Sequence, residues 1–405
     1  MNETPLRRIN FNIICQGSFV MLKKIIICVV SFAVFFTLLP CSIGTAEGVA
    51  PIDTGKVRTA VVGEAGSGKV VFEFQSDEKM PLAGLSKLPA LLAVSEAFDE
   101  GTIAEDSILT VNAKAASIRG TTAFLCEGET ASAADLMMAA VMINAGDAVH
   151  TLAVGAFGSE RVAVDKINSR LRLLEINAEI EDVCAEGLKL SADDLMKIGV
   201  ELAKSKAYRK YSTLYYEKFE HSTGAAATEL ANPNKLVRQY SGCFGIATGS
   251  SNEAGYCGVF AAERGGTEFV AVVLGAANSA DRFTSGIELL DYGFAAFRSV
   301  RIIKKGDSVT SVAVIGGTCR DLKLVAGADI VLLLPVNKAK YNQSIETPAS
   351  VEAPIAEGDT IGRVIYSDTD GTVLAEAVLV AERGVERLSF VDSIKDILRH
   401  WLRFV

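Results

Sequence analysis

Apolar residues follow several different spacings along this chain, and each spacing predicts a different kind of segment. Residues 25–39 form an almost continuous apolar run. Between residues 59 and 298, segments with helical spacing alternate with short β-type runs. Only β-type runs follow between residues 300 and 385, and helical spacing returns at the end of the chain. The pattern therefore predicts a leader, two folded domains and a terminal helix.

The first domain, predicted at residues 47–298, combines strands with a cluster of helices. Its predicted strands lie at residues 59–62, 69–74, 242–247, 255–262 and 268–275. Its predicted helices lie at residues 85–99, 134–154, 159–174, 191–204 and 280–298. These elements predict a domain that mixes helices and strands (α/β in the broad sense, of the α+β type), with a mostly antiparallel sheet.

A smaller all-β sandwich domain is predicted at residues 299–387, where short β runs are separated by Gly, Asp and Pro turns. The predicted strands lie at residues 309–314, 322–325, 330–334, 361–366 and 378–380.

Residues 388–405 predict a basic amphipathic helix on an otherwise acidic chain. After an N-cap at Asp392 or Ser393, apolar residues recur at helical spacing up to Val405, with Trp401 among them and Lys and Arg on the other faces. Such a helix fits the headgroup layer of a membrane surface. The alternative is a helix that docks on its own domain.

Residues 1–46 are predicted to be a secretory signal. A basic start, the apolar run and small residues before residue 47 are typical of such signals, and Met21 is an alternative start of the chain. We therefore expect an exported protein, with an uncleaved membrane anchor as the alternative.

The composition narrows the range of partners and cofactors. The 405 residues carry 49 Asp and Glu against 40 Lys and Arg, so no nucleic-acid partner is expected. The three His residues have no metal-ligand spacing, and we expect no metal and no cofactor. The five Cys residues beyond the leader are predicted to be buried and reduced. Cys243 and Cys257 flank a predicted hairpin and are the one pair that could form a disulfide if registered.

Two short motifs match known signatures in the wrong context. Residues 63–69 satisfy G-x-x-x-x-G-K, but Val70 replaces the Mg²⁺-binding Ser or Thr and a strand follows, which predicts a hairpin turn. Ser76 and Lys79 satisfy S-x-x-K, but they lie in a polar loop, so Ser76 is not expected to be a nucleophile.

Longer segments resemble a known family. Residues 80–87, M-P-L-A-G-L-S-K, are similar to the P-A-S-L-T-K segment that opens the active-site helix of the secreted serine D-alanyl-D-alanine carboxypeptidases, the low-molecular-weight penicillin-binding proteins. Further similar segments are residues 124–129, 135–148, 232–236, 245–251, 254–257, 273–276 and 353–358, with Arg282. The resemblance implies a penicillin-binding transpeptidase or β-lactamase-like domain, followed by a small β domain that lifts it from the membrane.

The resemblance also implies a catalytic serine, which this chain lacks. Gly84 stands where the family has the serine that attacks D-Ala-D-Ala, and a glycine cannot form an acyl-enzyme. Asn144 and Gly146 stand where the second motif has a proton-shuttling Ser and a substrate-orienting Asn. Ala247 stands where the third motif has the cation for the substrate carboxylate. With only Lys87 and Thr248 left of the core motif side chains, we expect a catalytically degenerate member of the family.

No neighbour is expected to replace the missing serine. Ser86 lies about 200° around a helix from Gly84, so it is predicted to face away from the cleft. Loss of a nucleophile alone costs on the order of 10⁶ in turnover, which would let the other motifs drift.

The remaining motif residues predict binding without turnover. Lys87 and Thr248 survive and Ser251 is a conservative change, so Thr248, Gly249 and Ser251 on an edge strand could pair with a peptide. The implied partner is a peptidoglycan stem peptide or a cell-wall protein, outside the cell membrane. Loss of the cation at Ala247 favours the protein. The alternatives are an active carboxypeptidase that trims pentapeptide through an unrecognised nucleophile, and an adhesion module that uses the β domain.

Overall fold

The computed structural model describes residues 53–337 and 340–389, so the predicted signal and the helix predicted from Asp392 lie outside the described residues. The strands are β1 (Thr59–Glu64), β2 (Val70–Phe74), β3 (Met80–Pro81), β4 (Ile108–Thr110), β5 (Thr130–Ser132), β6 (Lys189–Leu190), β7 (Tyr216–Phe219), β8 (Thr228–Ala231), β9 (Cys243–Ser251), β10 (Gly255–Arg264), β11 (Thr267–Ala276), β12 (Phe297–Ile303), β13 (Ser308–Ile315), β14 (Asp321–Ala326), β15 (Ile330–Pro335), β16 (Asn342–Glu346), β17 (Ser350–Glu352), β18 (Thr360–Ser367) and β19 (Val373–Ala381). The α-helices are α1 (Leu88–Asp99), α2 (Ala113–Ser117), α3 (Ala133–Ile143), α4 (Gly146–Phe157), α5 (Glu160–Leu173), α6 (Ala192–Lys204), α7 (Lys206–Ser212), α8 (Leu236–Gln239) and α9 (Ser279–Ala296).

The first domain is built on a five-stranded antiparallel sheet in the order β2-β1-β11-β10-β9. Successive side chains of a strand point to opposite faces, so each strand contributes to two cores. Val270 and Val272 of β11 pack into the core of the helix cluster, whereas Phe269, Ala271 and Val273 pack on the side of α9. The predicted α+β arrangement is confirmed, and β9 lies at one edge of the sheet.

The prediction of one buried helix at residues 134–154 is wrong in one respect, because the structure has two helices there. Asn144 ends α3 in the left-handed conformation (φ 56°, ψ 41°), and α4 begins two residues later at Gly146. Asn tolerates this backbone conformation better than most residues. The break turns two apolar helices toward the same site, with Asn144 at the corner.

The helix predicted at residues 85–99 begins differently from the prediction. A 3-10 turn, Ala83–Lys87, comes first, and the α-helix begins at Leu88 with Pro89 in its first turn. Pro fits there because the N–H groups of the first turn have no partner within the helix.

The G-x-x-x-x-G-K segment is a hairpin turn between β1 and β2, as predicted. The buried Glu64 carboxylate accepts hydrogen bonds from the N–H and the hydroxyl of Ser67, each at 2.6 Å. Its other oxygen accepts from Ser299 Oγ at 2.9 Å. The turn thus binds a carboxylate of its own chain and joins the first domain to β12.

The second domain is an all-β sandwich. A six-stranded sheet in the order β16-β18-β19-β14-β13-β17 packs against the β12-β15 pair around one apolar core. All five predicted strands are present, whereas β12, β16 and β17 were not predicted. The side chains of β16 are all exposed, so no apolar pattern marks it. The boundary predicted at residue 299 falls within β12.

A disulfide between Cys243 and Cys257 is excluded by the strand register. Cys257 of β10 lies opposite Gly249, whereas Cys243 of β9 lies opposite Ala262. The two thiols are therefore several residues apart along the hairpin, and both are free and buried. Across residues 53–337 and 340–389, no helix is both long and apolar enough to cross a bilayer.

Candidate functional site

A cavity of about 400 Å³ lies at the junction of four segments of the first domain. Its walls come from the turn at residues 81–87, the loop at 118–121, the loop at 184–189 and the end of β9 at 250–253. The first and third motif segments therefore line one open cleft, and Asn144 and Gly146 of the second motif lie behind it, next to Gly84 and Lys87.

Gly84 faces this cleft with room for a side chain. A Cβ atom on Gly84 would lie 3.8 Å from Asn144 Nδ2 and 3.9 Å from Gly249 Cα, both ordinary contact distances. The position at which the resemblance implies a nucleophile therefore has no side chain, and its neighbours have not closed over it.

Gly146, in contrast, has no room for a side chain. A Cβ atom there would lie 2.8 Å from Ile118 Cγ2, 3.1 Å from Lys87 Cε and 3.5 Å from Cys184 Sγ. These side chains occupy the place of the asparagine that the resemblance implies at the second motif.

Asn144 links the second motif to the third through a hydrogen bond of its side chain. Its side chain is 4% exposed, and Nδ2 donates a hydrogen bond of 3.2 Å to the carbonyl of Thr248. Its Oδ1 has no hydrogen-bond partner among the described residues. The helix break therefore places an amide where it ties α3 to β9.

Lys87 is the one charged motif residue in the cleft, and it is 9% exposed. Within the described part of the chain it has neither a hydrogen bond nor an ion pair. Burial lowers the pKa of Lys87, and the nearby Cys184, Glu186 and Asp147 oppose that shift. The Asp147 carboxylate is itself occupied, because it accepts hydrogen bonds from backbone N–H groups, including that of Ala123 at 2.9 Å.

The third motif lies on the edge strand β9, and its residues differ in how deeply they are buried. Ala247 is 3% exposed and packs in the helical core, so it supplies no charge to the cleft. Thr248 is also buried, and its hydroxyl has no partner among residues that the structure describes. Ser251 lines the cavity, and its Oγ accepts a hydrogen bond from Ala254 N at 3.0 Å.

Gly249 fixes how closely β9 approaches the turn before α1. A Cβ atom on Gly249 would lie 2.8 Å from Gly84 N and 3.3 Å from Gly84 Cα, so only glycine fits against this backbone. Buried Arg282 holds the strand from the other side, since its guanidinium donates to the carbonyls of Gly249 at 3.2 Å and Cys257 at 3.4 Å.

Ser86 corrects one prediction, because it lines the cavity instead of facing away from it. A 3-10 turn advances 120° per residue instead of 100°, which changes the direction of its side chain. Its Oγ donates a hydrogen bond of 2.9 Å to the carbonyl of Cys184.

Cys184 and Arg119 are cavity residues that the sequence analysis missed. The Cys184 thiol is buried, and burial raises its pKa to about 11, so it is protonated at neutral pH. The prediction that all five cysteines are buried is wrong for Cys126, which is exposed, and for Cys319, which is half-buried. Arg119 is exposed in the loop between α2 and β5, and the only sequence signal for it was a charge in a short Gly and Thr segment.

In the S-x-x-K match, the side chains of Ser76 and Lys79 bind different partners. Ser76 Oγ donates to Asp193 at 2.9 Å, and Lys79 Nζ donates to the carbonyl of Asn177 at 2.6 Å. In the described ranges, no group of three or more His, Cys, Asp or Glu side chains is placed to hold a metal ion.

The sequence matches two family models. Residues 47–278 match the model of peptidase S11, described as D-alanyl-D-alanine carboxypeptidase. Residues 297–387 match the model of the C-terminal domain of penicillin-binding protein 5.

Curated relatives match along most of their length. The D-alanyl-D-alanine carboxypeptidase DacF of Bacillus subtilis is 27% identical over 357 residues, which cover 86% of this chain and 91% of the relative. The D-alanyl-D-alanine carboxypeptidase DacC of Escherichia coli is 24% identical over 369 residues, which cover 87% of this chain and 90% of the relative.

Solved structures of low sequence identity share the fold. Penicillin-binding protein 5 of Haemophilus influenzae matches with a TM-score of 0.72 at 24% identity, over 84% of this chain and all of that one. A peptidoglycan synthesis regulatory factor of Streptococcus pneumoniae, penicillin-binding protein 3, matches with a TM-score of 0.64 at 22% identity, over 83% of this chain and all of that one. The chain therefore shares the fold of these proteins, an α/β domain followed by an all-β domain.

Proposed function

Because the chain belongs to the D-alanyl-D-alanine carboxypeptidase family, peptidase S11, we propose that it binds a cell-wall peptide or protein in the family's cleft without turning it over. The observation that carries this proposal is Gly84 at an open cleft. The nucleophile is absent, yet the space in front of it has not been filled.

Ser86 and Cys184, two side chains that line the cavity beside Gly84, lack the properties of a nucleophile for acyl transfer. Ser86 uses its proton in a hydrogen bond to a backbone carbonyl, and no basic side chain among the described residues forms a hydrogen bond with its oxygen. The Cys184 thiol is neutral at physiological pH, because burial raises its pKa to about 11. Turnover through an unrecognised nucleophile is therefore the weaker proposal.

Binding is supported by the shape of the cleft and by the sheet edge beside it. A cavity of about 400 Å³ admits a short peptide segment. An edge strand such as β9 can add a peptide backbone to its sheet, with Ser251 exposed at the end of the strand. Since Ala247 supplies no cation, a protein partner is favoured over free D-Ala-D-Ala.

The proposal includes export and a place at the cell envelope. The signal proposed at residues 1–46 would deliver the chain, and the helix proposed from Asp392 to Val405 would lie on the outer membrane-water interface of the cell membrane.

The test is covalent labelling by a fluorescent penicillin, with the DacF relative as a positive control. We expect no adduct on a denaturing gel or in intact mass spectra, and no release of D-Ala from diacetyl-Lys-D-Ala-D-Ala. A Gly84→Ser variant restores a hydroxyl where a side chain fits, so an adduct confined to residue 84 of this variant would support the proposal. An adduct on the unmodified protein, or D-Ala release by it, would overturn it.

A further inference from the structure

Charged side chains line the cleft unevenly. Lys87, Arg119 and Lys189 are the cations among the lining residues that the structure describes, and Glu186 and Glu253 are the anions. Lys189 and Glu253 lie 4.0 Å apart across the mouth and partly neutralise each other. The remaining charges leave an excess of positive charge inside the cleft.

Lys87 is the deepest of these cations, and it lacks a partner. More than nine-tenths of its side chain is buried, and nothing in the described ranges forms a hydrogen bond or an ion pair with it. A buried charge without a counterion is expensive, because burial removes its hydration and nothing replaces it. The structure around it also lacks the side chains that a family member would place there, at Gly84 and Gly146.

We propose that Lys87 is the anchor for a carboxylate of the bound ligand, an inference that rests on the proposed function. The lysine would thus supply, from the turn at residues 81–87, the cation that the resemblance implies at Ala247 of the third motif. The exposed Arg119 at the rim would favour the approach of the anion, since neighbouring cations raise the local concentration of negative groups.

The negative groups near Lys87 do not occupy it. Asp147 points its oxygens at backbone N–H groups, and Glu186 is exposed at the cavity wall without a hydrogen bond or ion pair to the lysine. A carboxylate that enters the cleft would meet the ammonium group directly, and an opposite charge at contact favours the charged form of a lysine.

Two sources could present this carboxylate: the C-terminus of a peptide, or an Asp or Glu side chain within a protein segment. Three probes separate them: acetyl-Lys-D-Ala-D-Ala, the same peptide with a C-terminal amide, and acetyl-Ala-Glu-Ala-amide. The amide form is the matched control for charge, because it keeps the length and the side chains of the first peptide.

The measurement is calorimetric titration of each probe into the unmodified protein, Lys87→Met and Lys189→Met. Met keeps the length of the lysine stem and removes the charge, and Lys189→Met removes a cation of the same cavity that already faces Glu253. We expect one of the carboxylate probes to bind the unmodified protein about tenfold more tightly than the amide, as for a charge-assisted hydrogen bond. Lys87→Met should abolish this preference, and Lys189→Met should keep it. The melting temperature of each variant confirms that it is folded.

The outcomes separate the anchor from the proposed function. Preference for the C-terminal carboxylate or for the Glu probe would identify the source. Equal binding of all three probes, a preference that survives in Lys87→Met, or no binding of either carboxylate probe would overturn the anchor. None of these results bears on turnover, which the penicillin adduct and D-Ala release decide separately.

Discussion

Gly84 and Gly249 lie next to each other where β9 approaches the turn before α1. Replacing each of them by Ala tests whether this close approach requires glycine. Both backbones lie outside the left-handed region, so an Ala is acceptable to each on conformational grounds. The added methyl group differs only in what it contacts. At Gly84 its neighbours lie at 3.8 and 3.9 Å, whereas at Gly249 it lies 2.8 Å from a backbone nitrogen that no side-chain rotation can move.

The expected effects have opposite signs. Gly84→Ala should stabilise the protein by about 0.5 kcal/mol, because Ala restricts the unfolded chain. Gly249→Ala should destabilise it by about 2 kcal/mol, because overpacking forces β9 away from the turn. For a domain of this size, the gap corresponds to about 5 °C or more between the two melting temperatures.

Scanning calorimetry of the two variants beside the unmodified protein gives the comparison. The reasoning would be refuted if Gly249→Ala melted within about 1 °C of Gly84→Ala. Such a result would mean that the strand can move back from the turn at no cost.

Three further predictions concern the scaffold around the cleft. Glu64→Gln should lower the melting temperature by more than Ser299→Ala, because the Glu64 carboxylate accepts hydrogen bonds from the hairpin turn as well as from the Ser299 hydroxyl. A buried hydrogen bond to a charged group contributes about 1.5–3 kcal/mol to the free energy of unfolding. Equal losses of melting temperature in the two variants would contradict this prediction. Burial lowers the pKa of His150, so the folded state binds a proton less readily than the unfolded chain, and stability should fall as the pH drops below about 6.5. His150→Gln should flatten the fall in melting temperature between about pH 6.5 and 5, and parallel curves would count against it. Cys243 and Cys257 should resist alkylation in the native protein, since burial raises the pKa of Cys243 to about 11, and a reducing agent should leave the melting temperature unchanged.

Sequence spacing predicted the long elements well, because each has a buried face with a regular period. The helices α5, α6 and α9 and the strands β9, β10 and β11 lie within a few residues of their predicted positions. The break between α3 and α4 was missed, since apolar residues continue on both sides of Asn144 and a left-handed Asn leaves no periodic trace. Local propensity alone cannot place such a corner.

The candidate site was predictable as a set of positions but not as a set of contacts. Ordered motifs located Gly84, Lys87 and Gly249, and the structure places all three around one cleft. The direction of Ser86 depended on whether the first turn was 3-10 or α, which is a difference of about 20° per residue. The filling of the space at Gly146 comes from Ile118, 28 residues away in sequence, and no local pattern indicates that contact.

The two glycines of the first and second motifs differ in how readily each position accepts a side chain. At Gly84 a single substitution adds a side chain without disturbing a neighbour. At Gly146 a side chain is blocked until Ile118 shrinks or moves, and Lys87 must also shift. The order of substitutions therefore matters at residue 146, where a change at Ile118 has to come first. At residue 84 one step is enough, so this wall of the cleft can acquire a hydroxyl more readily than the second motif can acquire an amide.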